Sequence, residues 1–279
     1  MERIKEAVEL AKASRSRLEK GTPPRQAPRR QVSESSGEAA AVVDLVTWGG
    51  RAVPLDHEHL KAMRIVAEDV TDPRARGFEM LRTQIFRKMS EPRHQTLGIT
   101  SPTSGCGKTV CALNLAFSIA RLAERSVTLV DLDLRKPLMR SYLGLPAGPG
   151  IDGLLRGEAT IKDIAIFPEI CEGRLRVLPT ARASGNAAAQ MASSQMEELV
   201  QKLRAQDPSG IILFDLPPVL VADDVISFLP QLDCILLVVA AGQSTVSEIT
   251  SAERLLGDTD MLGIVLNKSE EGGEASYYY

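Results

Sequence analysis

Residues 96–120 read "TLGITSPTSGCGKTVCALNLAFSIA". The first five are a short apolar run of the kind that forms a buried strand, and the run from Val110 onward has helical character. Between them lies "SPTSGCGKT", Ser101 to Thr109. A strand that turns through glycines into a helix is the context a phosphate-binding loop requires. Gly105 and Gly107 let backbone N–H groups turn inward on an anion, and the helix N-terminus adds its positive end. In that reading Ser104, Gly105, Cys106, Gly107, Lys108, Thr109 and Val110 wrap the phosphates. Lys108 reaches the β- and γ-phosphates, and the Thr109 hydroxyl binds Mg²⁺. The strict G-x-x-x-x-G-K-[ST] pattern is broken, because Pro102 stands where the first glycine belongs. Cys106 reads as a small residue filling a tight loop.

Outward from this stretch, short apolar runs alternate with helical patterns. The expected strands are 96–100, 126–131, 175–179, 210–215, 234–239 and 262–267, with helices over 72–89, 109–122, 193–205, 222–229 and 245–257. The runs show little polar alternation, which suits strands covered on both faces. The order predicts a doubly wound α/β fold with a mostly parallel sheet and a crevice beyond the carboxyl ends of its strands. Two further stretches deliver acids to that crevice. "VTLVDLDLRKP" (127–137) carries Asp131 and Asp133, two apart and so on one side of an extended chain. "IILFDLPPVL" (211–220) carries Asp215 after four apolar residues. A few carboxylates together with phosphate oxygens and retained water are what Mg²⁺ prefers.

The ends differ from this core. Residues 1–19 carry a helical stripe of Ile4, Ala7, Val8 and Ala11, and residues 20–42, rich in Pro, Ser, Gly and Arg, read as a disordered linker. The globular domain is expected over 43–268 and a mobile tail over 269–279, where Tyr277, Tyr278 and Tyr279 are three of the chain's four tyrosines. A formal charge of −3 gives no general attraction to nucleic acid, and none is expected as a partner. The longest apolar run, Cys234 to Gly242, is too short to cross a bilayer, and the charged start does not read as a signal peptide, so the chain is read as cytoplasmic. The four cysteines form no C-x-x-C pair, and His57, His59 and His94 lack metal-site spacing, so neither a disulfide framework nor a zinc site is expected.

Together, "SPTSGCGKT", "LVDLDLRKP", "LFDLPP" and the tyrosine-rich end resemble the Walker A, Walker A-prime, Walker B and tail of the bacterial tyrosine kinases of polysaccharide export. "GIDGLLRGEATIKDI" and "MASSQMEELVQKL" are also similar to segments of that family, over roughly residues 72–279 in all. The resemblance implies a P-loop fold of the deviant Walker A type and ATP with Mg²⁺ as cofactors. It further implies transfer of phosphate to Tyr277, Tyr278 and Tyr279 of a neighbouring copy, in the manner of stand-alone autokinases encoded beside exopolysaccharide export systems. Lys108 would neutralise transition-state charge, Thr109, Asp133 and Asp215 would hold the metal, and Asp131 would orient and deprotonate the incoming tyrosine. Arg135 either assists at the phosphates or forms a structural salt bridge, and Asn267 borders the adenine. Implied partners are the cytoplasmic segment of a membrane chain-length regulator, further copies of the chain in a ring, and a cognate tyrosine phosphatase. That link would put the chain at the inner face of the membrane. One departure touches the ring: the family's E-x-x-R-x-x-R helix reads here as Arg76, Glu79 and Arg82, with the first two charges exchanged. The rival readings are a partitioning or positioning ATPase, which would carry lysine at Thr103, and a scaffold that binds ATP without transferring phosphate.

Overall fold

The structure, a computed structural model, describes residues 49–89, 94–122, 125–257 and 259–269. The helix expected over 1–19, the linker over 20–42 and all of the tail but Ser269 lie outside these residues. The strands are β1 (Arg51–Val53), β2 (Thr96–Thr100), β3 (Val127–Asp131), β4 (Ile166–Pro168), β5 (Leu175–Leu178), β6 (Ile211–Asp215), β7 (Cys234–Ala240) and β8 (Asp260–Asn267). They form one sheet in the order β1-β4-β5-β3-β6-β2-β7-β8, parallel throughout except between β4 and β5. All six expected strands are present. β1 and β4 were not foreseen, because three residues carry no readable period and β4 ends on Pro168.

The principal helices are α1 (His57–Ala62), α2 (Ala75–Lys88), α3 (Lys108–Ala120), α4 (Ser194–Gln206), α5 (Asp224–Phe228) and α6 (Val246–Leu256). Successive residues of the central strands feed opposite cores. Leu97, Ile99, Leu129, Leu213 and Val238 pack with α2 and α3 on one face, and Val130, Phe214 and Leu237 pack with α4, α5 and α6 on the other. Phe214 meets Phe228 of α5 edge to face, with ring centroids 4.9 Å apart. Such pairs are worth about 0.5–1.5 kcal/mol beyond their buried area.

The helix after the loop is covered nearly all round: only Val110 escapes burial between Lys108 and Ala120. Its polar residues are therefore paired. Asn114 accepts the N–H groups of Val66 and Ala67 at 2.8 and 2.9 Å, and donates to the carbonyls of Arg64 and Val110. This amide fastens the segment between α1 and α2 to α3. From α2, Arg82 donates to the Ser118 carbonyl at 2.8 Å. Of the three charges in that register, Arg82, which is not one of the exchanged pair, therefore braces the fold internally.

At the opposite end of the sheet, Asp233 holds the starts of β2 and β7 together. Its Oδ2 accepts the N–H groups of Gln95 and Thr96, both at 2.8 Å, and its Oδ1 accepts Arg204 at 2.9 Å. Burial pushes this carboxyl up, but the Arg204 bond and the two backbone donors outweigh it and leave it below the ordinary carboxylate value. We expect Asp233→Ala to cost about 1–3 kcal/mol in urea denaturation at neutral pH, since it strands buried donors. A depressed carboxyl stabilises above its unfolded pKa and loses that contribution as pH falls through the folded value. The deficit of the variant should accordingly shrink on acidification below about pH 4.

Candidate active site

The loop between β2 and α3 owes its shape to two left-handed glycines, Gly105 at φ +84° and Gly107 at φ +89°. Gly107 precedes α3 without any side-chain cap, which leaves the first N–H groups of a thirteen-residue helix directed at the crevice. A β-carbon on Gly107 would also overlap the side-chain amide of Asn267. We expect Gly107→Ala to weaken nucleotide binding at least about tenfold, read by titration with a fluorescent nucleotide. The left-handed backbone alone costs an L-residue about 1–2 kcal/mol.

Neighbouring strand ends brace the loop. Asn267, at the end of β8, donates to the Cys106 carbonyl at 2.9 Å. Gln243, in the turn after β7, donates to the Ser104 carbonyl at 2.9 Å and accepts Lys268 at 3.2 Å. The Cys106 sulfur is buried against the Thr103 carbonyl at 3.3 Å and the Ser244 hydroxyl at 3.5 Å, so it fills the loop as expected. Thr100 Oγ1 donates to the Pro217 carbonyl at 2.7 Å, joining the exit of β2 to that of β6. The bracing by Gln243 and Ser244 was not legible from residue type. Only their position after a strand adjoining β2 could have marked them.

β3 and β6 are neighbours in register, with Asp131 opposite Asp215. Lys108 Nζ lies 2.7 Å from Asp133 Oδ2, 3.7 Å from Asp215 Oδ1 and 3.5 Å from Thr109 Oγ1. All five side chains are buried: Asp131 is 0% exposed and Lys108, the most accessible, 8%. Burial works against the ammonium, but Asp215 and Asp133 outweigh it and raise its pKa. Asp131 is driven well above the ordinary carboxylate value, by burial first and then by Asp215. Asp215 is raised by burial, with Lys108 opposing. Three carboxylates thus share one ammonium. Asp131 Oδ2 and both Asp215 oxygens are buried without a hydrogen-bond partner. A stranded buried acceptor costs about 1–3 kcal/mol, and more when charged. Hard oxygen donors with an unmet need for positive charge fit a hydrated Mg²⁺ beside phosphates.

Arg135, for which two roles were open, makes the salt bridge: its Nε and one terminal nitrogen meet the buried Asp224 carboxylate at 2.6 and 2.9 Å. Asn267 sits against the loop backbone through Cys106. Val110, half-buried, lies in the first turn of α3 beside the loop. Tyr277, Tyr278 and Tyr279 lie outside the described residues. No helix among the described residues is long and apolar enough to cross a membrane.

Residues 97–277, which carry this loop and its strand-end acids, match the family model of the CobQ/CobB/MinD/ParA nucleotide-binding domain. This chain belongs to that family. Within it, the chain is 30% identical over 212 residues to the EpsB protein of Ralstonia nicotianae, assigned as a tyrosine-protein kinase; the match covers 75% of this chain and 28% of that protein. The chain therefore spans little more than a quarter of the first curated relatives it matches. It is 26% identical over 215 residues to tyrosine-protein kinase YwqD of Bacillus subtilis, covering 75% of this chain and 89% of that one. Among solved structures, the chimerical protein CapA2B2 superposes with a TM-score of 0.68 at 26% identity, covering 81% and 97% of the two chains. The fold expected from the motifs is borne out, and so is their resemblance to the bacterial tyrosine kinases.

Proposed function

We propose that this nucleotide-binding domain is an ATP-dependent protein-tyrosine kinase that phosphorylates Tyr277, Tyr278 and Tyr279 of another copy. The observation that carries this reading is the convergence of Lys108, Thr109 and three buried carboxylates at one loop. Thr109, Asp133 and Asp215 would hold Mg²⁺, which when bound supplies positive charge against the β- and γ-phosphates. The N–H groups of Ser104 to Thr109 cradle the phosphates. Lys108 leaves Asp133 for a phosphate oxygen and stabilises charge as the γ-phosphoryl moves. The tyrosine oxygen–phosphorus bond forms, the bond to the ADP oxygen breaks, and Asp131 takes the phenolic proton. A carboxyl raised by burial suits that last task better than an ordinary one.

Each phosphorylation adds about −1.5 to −2 of charge to a tail that already carries Glu270, Glu271 and Glu274, and the resulting repulsion frees it from the site. By this reading the chain assembles as a ring that loosens on phosphorylation, a cognate phosphatase resets it, and the cytoplasmic segment of a membrane chain-length regulator holds it at the membrane during polysaccharide export. The stripe of Ile4, Ala7, Val8 and Ala11 in the sequence of residues 1–19 supports docking on such a partner.

The test is phosphotyrosine formation by the purified chain with Mg-ATP, compared with a variant carrying phenylalanine at 277, 278 and 279. A signal that is present in the first and lost in the second is the expected result. Nucleotide hydrolysis without phosphotyrosine would overturn the reading in favour of a positioning ATPase. Binding with neither would favour a scaffold. Mixing the Lys108→Met chain, as tail donor, with active chain carrying the three phenylalanines should restore the signal if transfer runs between copies.

A further inference from the structure

The end of the sheet remote from the loop gathers a different donor set. Cys234 opens β7 and Asp260 opens β8, and the two are register partners on adjacent parallel strands. Their side chains therefore stand side by side, with the Cys234 sulfur 4.0 Å from Asp260 Oδ2. His94 comes in from the segment leading to β2, the strand on the other side of β7. One ring nitrogen of His94, the Cys234 sulfur and one Asp260 oxygen all lie within 4.8 Å of one another. These residues are about 140 and 26 positions apart in the chain, which is why no metal-site spacing was visible in the sequence.

We propose that His94, Cys234 and Asp260 form a binding site for a borderline-soft divalent cation, Zn²⁺ in the first instance. Tetrahedral zinc takes sulfur at about 2.3 Å and nitrogen or oxygen at about 2.0–2.2 Å. That geometry sets donors roughly 3.3–3.7 Å apart, so closing in from the observed spacing takes small side-chain rotations. A thiolate, an imidazole and a carboxylate favour zinc or cobalt and disfavour magnesium, which is the reverse of the all-oxygen set at the loop. Binding releases the Cys234 thiol proton to solvent, leaving thiolate and carboxylate to balance the two positive charges. Three protein ligands leave a fourth position for water. A cleft of about 700 Å³, lined in part by His94, Asp233, Leu256 and Asp260, gives access to it. Cys234 is buried, His94 half-buried and Asp260 exposed, so the group spans the wall of that cleft. An ion there would tie the start of β2, the strand that carries the nucleotide loop, to β7 and β8.

The test uses the whole chain, stripped with chelator and then saturated with Mg²⁺ and a non-hydrolysable ATP analogue so that the loop carboxylates are engaged. Titration with Co²⁺ should give one equivalent bound, with a thiolate-to-cobalt charge-transfer band that Zn²⁺ displaces. Cys234→Ser should remove the band. His94→Ala and Asp260→Asn should each weaken Zn²⁺ binding at least about tenfold, the least that even a ligand's outer partners are worth. No band, or a band that survives in Cys234→Ser, overturns the proposal. Should Cys234→Ser fail to fold, the other two variants decide: unchanged Zn²⁺ affinity in both is equally fatal.

Discussion

Lys108→Met should lower the rate of nucleotide-dependent phosphotyrosine formation by at least about a hundredfold at saturating Mg-ATP, because one preorganised charge aimed at a developing anion is commonly worth that much. The same substitution should weaken the fold. Among the described residues, Lys108 is the ammonium that pairs with Asp133 and Asp215, and Asp131 is buried beside them. Removing one partner from a buried ion pair costs about 3–5 kcal/mol, since the remaining charges stay desolvated. Here part of that loss is recovered by protonation, because burial already holds Asp131 and Asp215 above the ordinary carboxylate value and losing Lys108 raises them further. A carboxyl raised in the folded state binds its proton more readily folded than unfolded. Stability therefore falls as pH rises from the unfolded value through the folded one. The gap between variant and wild type should be widest near neutrality and narrow toward about pH 4. Initial rates and urea midpoints at several pH values check both parts. A rate within threefold of wild type, or equal midpoints at pH 7, would sink the account.

The convergence of these residues was legible because each part sits on a strong local pattern. A glycine-turned loop between strand and helix, and acids that end apolar strands, are visible in one dimension, and the parallel sheet then brings Asp131 and Asp215 opposite each other. What stayed hidden depends on which strands adjoin. Gln243 and Asn267 brace the loop only because β7 and β8 follow β2 in the sheet order, a relation no local pattern encodes. The Arg135–Asp224 pair is of the same kind, 89 residues apart and bidentate, and it explains why an arginine so near the acids serves the scaffold. β1 and β4 escaped because three-residue strands are too short to show a period. His94 and Cys234 showed no metal-site spacing, and Asp260 drew no reading at all, for the same reason that Gln243 was missed: their meeting is a property of strand register.

Asp215→Asn should separate stability from binding in opposite directions. In wild type its carboxylate is 1% exposed, and neither oxygen makes a close hydrogen bond, Thr109 and Lys108 offering only long contacts that lower its pKa less than burial raises it. Lys108 lies 3.7 Å away and is closer to Asp133. The near-isosteric amide removes one of three negative charges while leaving two for the ammonium. With chelator and no nucleotide, the variant should be more stable at pH 7 by about 1–2 kcal/mol, or roughly 3–6 °C in melting midpoint. With Mg-nucleotide the order should reverse. Ligand at a hundred times its dissociation constant stabilises the wild type by about 2.7 kcal/mol, and on the proposal that Asp215 would hold the metal the variant gains far less. The pH dependence follows from the raised pKa of Asp215, whose causes are burial first and Lys108 in opposition. Above that pKa the wild type pays to keep the charge buried, and below about pH 3.8 the group is protonated in both folded and unfolded chains. The advantage of the variant should therefore vanish in acid and reach its full size at neutral pH. Thermal melts in chelator and in Mg-nucleotide read both effects directly. A variant less stable than wild type in chelator at pH 7 would mean that the Lys108–Asp215 attraction exceeds the cost of burying the third carboxylate, and the case for a cation-hungry site would fall with it.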